Sequence, residues 1–543
     1  MTKRQRWSWL ASAVALAAGI ALLTAAYGVS ANKAGKASKR FGELRVVLDT
    51  IDYLDPQQSY TAQSFSVLWD VYQTLVTYKH VPGRAGTIPV PGLAQSMPRI
   101  SRDGKTYRFV LRKGLRYSNG KPVLASDFKY AMKREFLAPG QGVGFYEDIV
   151  GAKQFEKTLK GDIPGIITNN AKRTITIKLT APRGDFLAIL ALLFAAPVPA
   201  GTPPEDQSTH PIPSTAQYKI SSYTPNVGFT MVQNPYFKPN KFIPRGNPKK
   251  ITVKLIGDAN AALQQVTSGK ADYTNAAIEP DRIGDVQRRY GKQLHLRPTA
   301  NTYYLWMNTR VAPFNKLNVR KAVNYAIDRK ALVRLVWGGL GAPTQNVLPP
   351  TYPQYQKLNL YPHNLAKAKA MIKAAGVDGD QVTVWGRSVS DSVVATEYYA
   401  SVLDSIGFKT KVNILPRTTY YTTIGNQDTK AQTGWARWLE DYPHPLDWFD
   451  VLLNGNRITA QNNNNYSNAN NGAVNRLIER LKLKPVLTPA VNKQWAQVDK
   501  MVMQNALWAP WSNRIFPEFF GKSLGCYTVN NLYGVDYLRV CKK

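Results

Sequence analysis

The sequence predicts mixed α/β domains, because short stretches that alternate like strands are interleaved with stretches that have helical periodicity. Residues 107–112 alternate in side-chain character, and the turn-forming sequence Ser118-Asn119-Gly120 follows them. The chain is 44% hydrophobic and 11% aromatic, which excludes a disordered polybasic protein. With 543 residues it is long enough to form more than one domain.

Predicted elements start and stop at residues that favour such boundaries. Ser126-Asp127 can cap a helix that continues through Phe128 and Met132. We also predict strands over 251–255 and 410–414, and helices over 261–266, 365–375 and 396–406. Gly376 and Gly407 follow the last two helices, and glycine favours the left-handed conformation that ends a helix.

Two segments of biased composition predict different environments. Phe186–Ala196 is an apolar run that stops at Pro197. This run is too short to span a membrane and predicts a buried helix. Gln461–Asn471 is rich in asparagine and predicts a polar surface loop.

The first residues predict export from the cytoplasm. Basic residues at the start are followed by an uncharged stretch from Trp7 to Ala31 that ends in the small residues Val29-Ser30-Ala31. This pattern is typical of a signal peptide over residues 1–31, cleaved after Ala31. The alternative is an uncleaved N-terminal anchor, since Leu10–Ala26 is close to the length that spans a bilayer. This stretch holds no cysteine to which a lipid could be attached. We therefore expect a periplasmic or cell-surface protein whose signal peptide has no lipid-attachment cysteine.

The chain contains two cysteines, which excludes a disulfide-dense scaffold and a cysteine-based zinc site. Because an exported protein is exposed to oxidising conditions, we expect Cys526 and Cys541 to form a disulfide. Two free, partly buried thiols are the alternative.

The net charge of +35 is spread along the chain. Residues 1–300 hold 41 basic and 20 acidic side chains, and residues 301–543 hold 29 and 15. A nucleic-acid-binding module concentrates its basic residues on one element, so we expect no nucleic-acid partner. The charge instead suggests association with an anionic membrane or cell-wall polymer.

No constellation of residues indicates catalysis. The five histidines show no metal-ligand spacing, and the chain has no G-x-S-x-G motif. The glycine-rich segment 140–144 lacks the strand-then-helix context of a phosphate loop. We therefore expect no enzyme, no metal and no cofactor, with an exported hydrolase as the remote alternative.

A series of short motifs resembles the extracytoplasmic solute-binding proteins of ABC importers, family 5, which include the oligopeptide- and dipeptide-binding proteins. The motifs occur in family order over most of the chain after residue 50. They are Leu54-Asp55-Pro56, Leu93-Ala94, Asp103-Gly104-Lys105-Thr106-Tyr107, Leu111-Arg112-Lys113-Gly114, Asn119-Gly120-Lys121-Pro122-Val123, Ala125-Ser126-Asp127-Phe128, Asn234-Pro235-Tyr236, Gly269-Lys270-Ala271-Asp272, Pro313-Phe314, Val319-Arg320-Lys321-Ala322, Ala326-Ile327-Asp328-Arg329 and Asp441-Tyr442-Pro443-His444-Pro445.

The resemblance implies a two-lobed periplasmic-binding-protein fold of type II, in which a hinged trap closes on its ligand. By analogy, residues 42–76, 205–300 and 512–543 form the core of lobe I, and residues 77–204 form an additional subdomain of that lobe. Residues 301–511 would form lobe II.

The resemblance also implies a ligand site. In peptide-binding relatives an aspartate pairs with the free amino terminus of the peptide, and Asp441 aligns with it. Arg437 and Leu439 on one lobe, and the stretch Ser59–Ala62 on the other, would pair with the peptide backbone as with an added strand. Glu440 stands where the family commonly has a small or neutral residue.

Aromatic residues are candidates for the walls of this site. Trp438 and Trp435 could line a side-chain pocket. Tyr303 and Tyr304 lie at the start of the other segment of the chain that enters lobe II. Each also has a structural reading: aromatic residues dominate cores as well as sites, and Asp441 can brace a turn. At most one of two adjacent tyrosines on a strand should face the cleft.

The resemblance therefore implies a monomeric, extracytoplasmic component of an ABC importer that captures peptides and delivers them to the permease subunits. The alternative is the same role for a non-peptide ligand: an oligosaccharide, a metal chelate or a small cationic metabolite, because one fold serves many ligands.

Overall fold

The computed structural model describes residues 40–138, 140–276, 278–484 and 486–543. The predicted signal peptide or anchor over residues 1–31 lies outside these ranges. Within them, no helix combines the length and the apolar character that crossing a bilayer requires.

Strands occur from one end of the described chain to the other. They are β1 (Phe41–Leu48), β2 (Val76–Tyr78), β3 (Pro89–Pro91), β4 (Arg99–Ile100), β5 (Thr106–Val110), β6 (Ile166–Asn169), β7 (Thr174–Lys178), β8 (Tyr218–Thr224), β9 (Gly228–Gln233), β10 (Pro248–Leu255), β11 (Tyr273–Thr274), β12 (Leu294–Pro298), β13 (Asn301–Met307), β14 (Gly341–Pro343), β15 (Gln381–Arg387), β16 (Lys409–Leu415), β17 (Thr433–Leu439), β18 (Trp508–Phe520), β19 (Leu524–Cys526), β20 (Val529–Asn530), β21 (Gly534–Val535) and β22 (Cys541–Lys542).

Helices lie between these strands, as the sequence predicts for mixed α/β domains. The α-helices are Ala62–Leu68, Ala125–Leu137, Val143–Tyr146, Ala152–Thr158, Phe186–Ile189, Ala259–Thr267, Ile283–Tyr290, Leu317–Ala326, Arg329–Trp337, Leu365–Ala374, Ser390–Ser405, Tyr420–Ile424, Leu446–Leu453, Gly472–Lys482 and Pro489–Gln504. The 3-10 turns are Arg84–Thr87, Pro280–Arg282, Leu193–Ala195, Gln427–Thr429, Gly455–Arg457 and Tyr537–Arg539.

One mixed sheet organises the described chain. Its strands run in the order β16-β15-β17-β13-β18-β11-β1-β10-β9-β8, and β12 and β14 also pair with β18. Strand β18 pairs with β13 and β14 near its start and with β11 and β12 near its end. The sheet is therefore continuous from one half of the described chain to the other through this one strand.

Two large hydrophobic cores pack against this sheet. The first core contains buried side chains from two parts of the chain, together with Tyr442. These parts run from Leu44 to Tyr273 and from Phe520 to Val540. The second core contains buried side chains from Ile283 to Trp511. A smaller sheet, with strand order β4-β5-β7-β6, buries one face in the first core.

Most of the predicted elements agree with the structure to within a few residues. The strand predicted over 251–255 belongs to β10, and the helix predicted over 365–375 is observed as Leu365–Ala374. Gly376 and Gly407 have φ angles of 64° and 119°, so both glycines follow their helices in conformations that other residues rarely adopt. The predicted disulfide between Cys526 and Cys541 is present and joins β19 to β22.

The prediction of one helix over Phe186–Ala196 was wrong, although the segment is buried as expected. A short helix ends at Ile189 and a 3-10 turn follows from Leu193 to Ala195. Gln57 explains how this irregular backbone is tolerated, because its side-chain amide donates to the carbonyl oxygens of Phe194 and Ala196 at 3.0 and 3.1 Å.

The prediction that Gln461–Asn471 forms a surface loop was also wrong. Asn463, Asn465 and Asn468 are buried. The Asn465 amide donates to the Ala469 carbonyl oxygen and accepts from the Ala469 N–H, both at 2.9 Å. Asparagine carries both a donor and an acceptor, so it can replace the water that an irregular backbone needs when it is buried.

A buried ion pair fixes the segment that precedes the first described helix. Asp55 and Arg134 are both fully buried, and the guanidinium binds the two carboxylate oxygens at 2.8 and 2.5 Å. Arg134 also donates to the Gln57 side-chain oxygen at 2.8 Å. The motif Leu54-Asp55-Pro56 is thereby held against the helix Ala125–Leu137.

We predict that Asp55→Asn lowers the free energy of unfolding by about 3–5 kcal/mol, because it leaves the Arg134 charge buried without its partner. Urea denaturation of the purified protein measures this change. Glu156→Gln, at an exposed position of the helix Ala152–Thr158, should leave the denaturation midpoint where it is. An equally unaffected midpoint for Asp55→Asn would contradict the prediction.

Candidate ligand-binding site between the two cores

The site forms where the chain leaves the second core at the end of β17. Strand β17 pairs antiparallel with β13 from Thr433 to Leu439. Beyond it the chain reaches the first core, where Tyr442 is buried. The Tyr442 hydroxyl donates to Asp185 Oδ2 at 2.7 Å, and its ring lies 6.0 Å from that of Phe145. The residues around Asp441 therefore bridge the two cores.

One edge of β17 is open beside Asp441. The Glu440 N–H donates to the Ala300 carbonyl oxygen at 3.0 Å, so the peptide groups of even-numbered residues face β13. Backbone groups of alternate residues point to opposite edges in an antiparallel pair, so those of Arg437 and Leu439 face away from β13. On that edge β15 pairs only with Thr433 and Gly434. Within the described chain, no strand covers the edge at Arg437 and Leu439.

Asp441 lies at the end of this open edge. Its Oδ1 accepts a hydrogen bond of 2.8 Å from the Tyr60 hydroxyl, which comes from the other side of the site. Its backbone N–H donates to Asp447 Oδ2 at 3.0 Å. Burial raises the pKa of Asp441 to about 7, although the Tyr60 hydrogen bond acts in the opposite direction.

Two more carboxyl groups lie next to Asp441. Burial raises the pKa of Glu440 to about 8, and burial and the Asp441 charge raise the pKa of Asp447 well above its usual range. Glu440 Oε2 and Asp447 Oδ1 are buried and have no hydrogen-bond partner among the described residues. An acidic cluster of this kind favours a ligand that carries positive charge, because a cation lowers the cost of ionising it.

The structure separates the aromatic candidates into two groups. Trp438 is partly buried, and its indole N–H donates to Asp447 Oδ2 at 3.1 Å, which places it in the acidic cluster. Trp435 is fully buried and its ring lies 5.9 Å from that of Tyr303. Tyr304 is also buried and stacks on Trp508 at 3.5 Å. Trp435, Tyr303 and Tyr304 are therefore parts of the second core.

Arg437 precedes Trp438 in β17, and its side chain contacts Tyr303 of the second core. Its Nη1 donates to the Tyr303 hydroxyl at 3.3 Å, and the guanidinium lies 6.0 Å from the centre of the Tyr303 ring. Leu439, the last residue of β17, pairs with Asn301 of β13.

The stretch Ser59–Ala62 lies on the opposite side, but much of its backbone is already engaged. Asp52 Oδ2 accepts from the N–H groups of Tyr60 and Thr61 at 2.6 and 2.8 Å. The Ser59 N–H donates to the Asp55 carbonyl oxygen, and Ala62 is the first residue of a helix. A ligand backbone along this stretch would therefore meet carbonyl acceptors rather than free N–H donors.

Sequence reasoning missed Tyr60 and Asp447. Tyr60 lies inside the predicted stretch Ser59–Ala62, but its contact with Asp441 joins residues 381 positions apart. Asp447 follows Asp441 by six residues, and only the turn between them directs its carboxylate back to the Asp441 N–H. A cluster of three acidic residues within 440–447 was the available signal.

Comparison with known proteins gives consistent results. The chain is 25% identical over 469 residues to the “Probable D,D-dipeptide-binding periplasmic protein DdpA” of Escherichia coli (strain K12), covering 83% of this chain and 84% of that protein. It is 26% identical over 483 residues to heme-binding protein A of Haemophilus influenzae, covering 84% and 83%.

Among solved structures, the fold matches clavulanic acid biosynthesis oligopeptide binding protein 2 with a TM-score of 0.84. That match has 24% sequence identity and covers 93% of this chain and 96% of the other. It shows that the chain has the two-lobed fold of periplasmic binding proteins.

The profile of the bacterial extracellular solute-binding proteins, family 5, matches residues 89–460, which include β17, Asp441 and the acidic cluster. With the continuous sheet, the two cores and the site between them, this match shows that the chain belongs to the bacterial extracellular solute-binding proteins of family 5.

Proposed function

We propose that this protein is the extracytoplasmic binding component of an ABC importer, and that it captures peptides and delivers them to the permease subunits. The observation that carries the proposal is the open edge of β17 ending at Asp441. An open strand edge hydrogen-bonds any peptide backbone without reading its side chains. A carboxylate at the end of that edge favours the positively charged amino terminus of a peptide.

In this proposal the peptide adds to β17 as a strand and places its ammonium group at Asp441. The peptide groups of Arg437 and Leu439 supply the backbone hydrogen bonds. The Tyr60 hydroxyl now donates to Asp441 from the position that the ammonium group would take. Ligand binding therefore exchanges a neutral donor for a charged one, which forms a stronger hydrogen bond.

Closure of the lobes follows from contacts on both sides of the ligand. We assign residues 42–76, 205–300 and 512–543 to lobe I, 77–204 to its subdomain and 301–511 to lobe II. Asp441 then belongs to lobe II, and Tyr60 and Ser59 belong to lobe I. A ligand that touches both sides binds the closed form better than the open form, which is the condition for ligand-driven closure.

The second candidate is a small cationic metabolite in place of a peptide. The side chains of Glu440 and Asp447 favour it, because three adjacent carboxyl groups exceed what one ammonium group requires. An oligosaccharide or a metal chelate has less support from the site, since a sugar offers no charge to this acidic cluster. The peptide remains the better proposal because only a peptide uses the open edge of β17.

We predict that Asp441→Asn weakens binding of peptides with free amino termini by about 10- to 100-fold, because a charge-assisted hydrogen bond contributes roughly 1.5–3 kcal/mol. Isothermal titration calorimetry with a set of short peptides measures the change. The same peptides with an acetylated amino terminus serve as the matched ligand control.

Acetylated peptides should bind the unmodified protein weakly and should not distinguish it from the Asn variant. Equal affinity of the unmodified protein for both peptide forms would refute the pairing of Asp441 with the amino terminus. Binding of arginine or a polyamine with no peptide binding would favour the cationic metabolite.

We predict that the affinity for such peptides rises with pH between about 5 and 8, by up to about tenfold per pH unit below the pKa of Asp441. Burial holds the pKa of Asp441 at about 7 and that of Glu440 at about 8, so both groups are largely protonated in the free protein at low pH. The ammonium group needs the ionised carboxylate, so binding releases a proton. Calorimetry in two buffers with different ionisation enthalpies detects that proton.

The stability of the free protein changes with pH in the opposite direction to its affinity for peptides. Because the pKa values of Asp441 and Glu440 are higher in the folded protein than in the unfolded chain, both groups stabilise the fold at low pH. This contribution is lost progressively as the pH rises from the unfolded pKa values of about 4 to the folded values of about 7 and about 8. Asp441→Asn should flatten the affinity profile. Affinity that stays constant from pH 5 to 8 in the unmodified protein would contradict the prediction.

We also propose that the basic charge, +35 for the whole chain and +32 without the three basic residues of the predicted signal peptide, holds the protein close to an anionic membrane or cell-wall polymer, while it works as a monomer. The protein should bind vesicles that contain phosphatidylglycerol, and the bound fraction should fall as salt rises because exposed charges are screened. Vesicles of phosphatidylcholine alone are the control. A bound fraction that does not change with salt would exclude this electrostatic contact.

A further inference from the structure

We propose that Asp70, His80 and Asp536 form a buried structural site for a divalent cation, with Zn²⁺ as the best match to its ligands. Asp70 lies in the turn after the helix Ala62–Leu68 and His80 in the loop after β2, while Asp536 caps the start of the 3-10 turn Tyr537–Arg539. The inference does not depend on the proposed transport function.

The geometry brings three potential ligand atoms together. One atom from each of the three side chains lies within 4.8 Å of the other two. His80 Nδ1 is 3.1 Å from Asp536 Oδ2. The three residues are only 1%, 2% and 1% exposed, so water does not solvate their charges. Two buried carboxylates that face one another beside a single imidazole carry more negative charge than the imidazole can balance.

The carboxylate oxygens of Asp70 favour the binding of a cation. Both carboxylate oxygens of Asp70 are buried without a hydrogen-bond partner among the described residues. By contrast, Asp536 is satisfied on both sides, because its Oδ1 accepts from the Leu538 N–H at 3.1 Å and its Oδ2 faces His80. An ionised carboxylate with no donor is costly inside a protein, and a cation between Asp70, Asp536 and His80 removes that cost.

Gln217 lies on the far side of the imidazole, where its side-chain nitrogen also donates to the Pro244 carbonyl oxygen at 3.4 Å. It is 3% exposed, its side-chain nitrogen lies 3.4 Å from His80 Nε2, and its Oε1 has no partner among the described residues. Metal-bound histidines donate their second ring N–H to an oxygen acceptor. If His80 binds the cation through Nδ1, its Nε2–H needs such an acceptor, and a rotation of the Gln217 amide supplies Oε1.

The ligand types and their support suit zinc. Zinc is four-coordinate and takes histidine nitrogen and carboxylate oxygen, so the three side chains leave one position for a water molecule, whereas calcium and magnesium require more oxygens than this cluster offers. Trp69 holds the imidazole plane in place, since its ring stacks on that of His80 at 3.8 Å. The cation would cross-link His80 and Asp536, which are 456 positions apart in the sequence, within the first core. That separation also explains why the spacing of histidines in the sequence gave no metal signal.

The experiment measures zinc content and its effect on stability. The purified protein is unfolded in guanidinium chloride with EDTA, freed of both, and refolded with or without Zn²⁺. We expect close to one Zn²⁺ per chain by mass spectrometry, and a Tm at least about 3 °C higher with the metal than without it. Gln217→Met, which removes the amide beside His80 Nε2, should weaken zinc binding by about 10- to 100-fold.

The variant Asp70→Asn distinguishes a protein that has the cation site from one that does not. With a cation site, this variant loses the zinc and its Tm no longer responds to the metal. Without one, the variant replaces a buried carboxyl group that has no hydrogen-bond partner among the described residues, so it keeps or raises the Tm and the unmodified protein takes up no zinc. Asp499→Asn, another buried aspartate that accepts from the Val347 N–H, is the matched control and should keep its zinc. A zinc-free unmodified protein whose Tm is the same with and without the metal would overturn the proposal.

Discussion

Strand β18 is the constraint on which the rest of the structure depends. It runs for 13 residues from Trp508 to Phe520 and pairs with strands of both cores. At its start Trp508 stacks on Tyr304 of the second core, and at its end Phe520 contacts Tyr273 of the first core. The pairing with β13 shifts register between Tyr303 and Tyr304, so the strand is irregular within the second core. A shared strand with a local irregularity keeps the two halves aligned while the sheet bends there.

Strand β18 determines the position of the candidate ligand site, because each strand of the sheet fixes the register of the next. β18 fixes β13, and β13 fixes the register of β17 over seven paired residues. Because side chains and peptide groups alternate along a strand, this register decides that Arg437 and Leu439 turn their backbone to the open edge. It also decides that Asp441 emerges toward Tyr60 and that Tyr442 reaches Asp185. A slip of one residue would exchange the paired and open edges, so the proposed binding of a peptide along this edge depends on the packing of the second core.

The sequence predicts local boundaries well and long-range burial poorly. Gly376 and Gly407 mark helix ends because the reason is contained in one residue. The family motifs predict the two-lobed fold because many weak signals agree in order. The burial of the asparagine loop and the Asp55–Arg134 ion pair could not be predicted from the sequence. Each depends on contacts that form only in the folded chain. The same limit applies to the site: Asp441 was predicted from its motif, whereas its contact with Tyr60 spans 381 residues.

The charge of the protein and the charge of its site have opposite signs. The chain carries a net charge of +35, yet the site between the cores presents Glu440, Asp441 and Asp447. At long range a strongly basic surface repels a cationic ligand, so steering by the whole protein cannot account for its capture. In the proposed mechanism selection therefore acts at short range, where burial raises the pKa values of the carboxyl groups and a cation that pairs with them favours their ionised form. In the proposed mechanism a cationic ligand favours the ionised form of these carboxyl groups, so recognition of a peptide amino terminus is coupled to the release of a proton from the site.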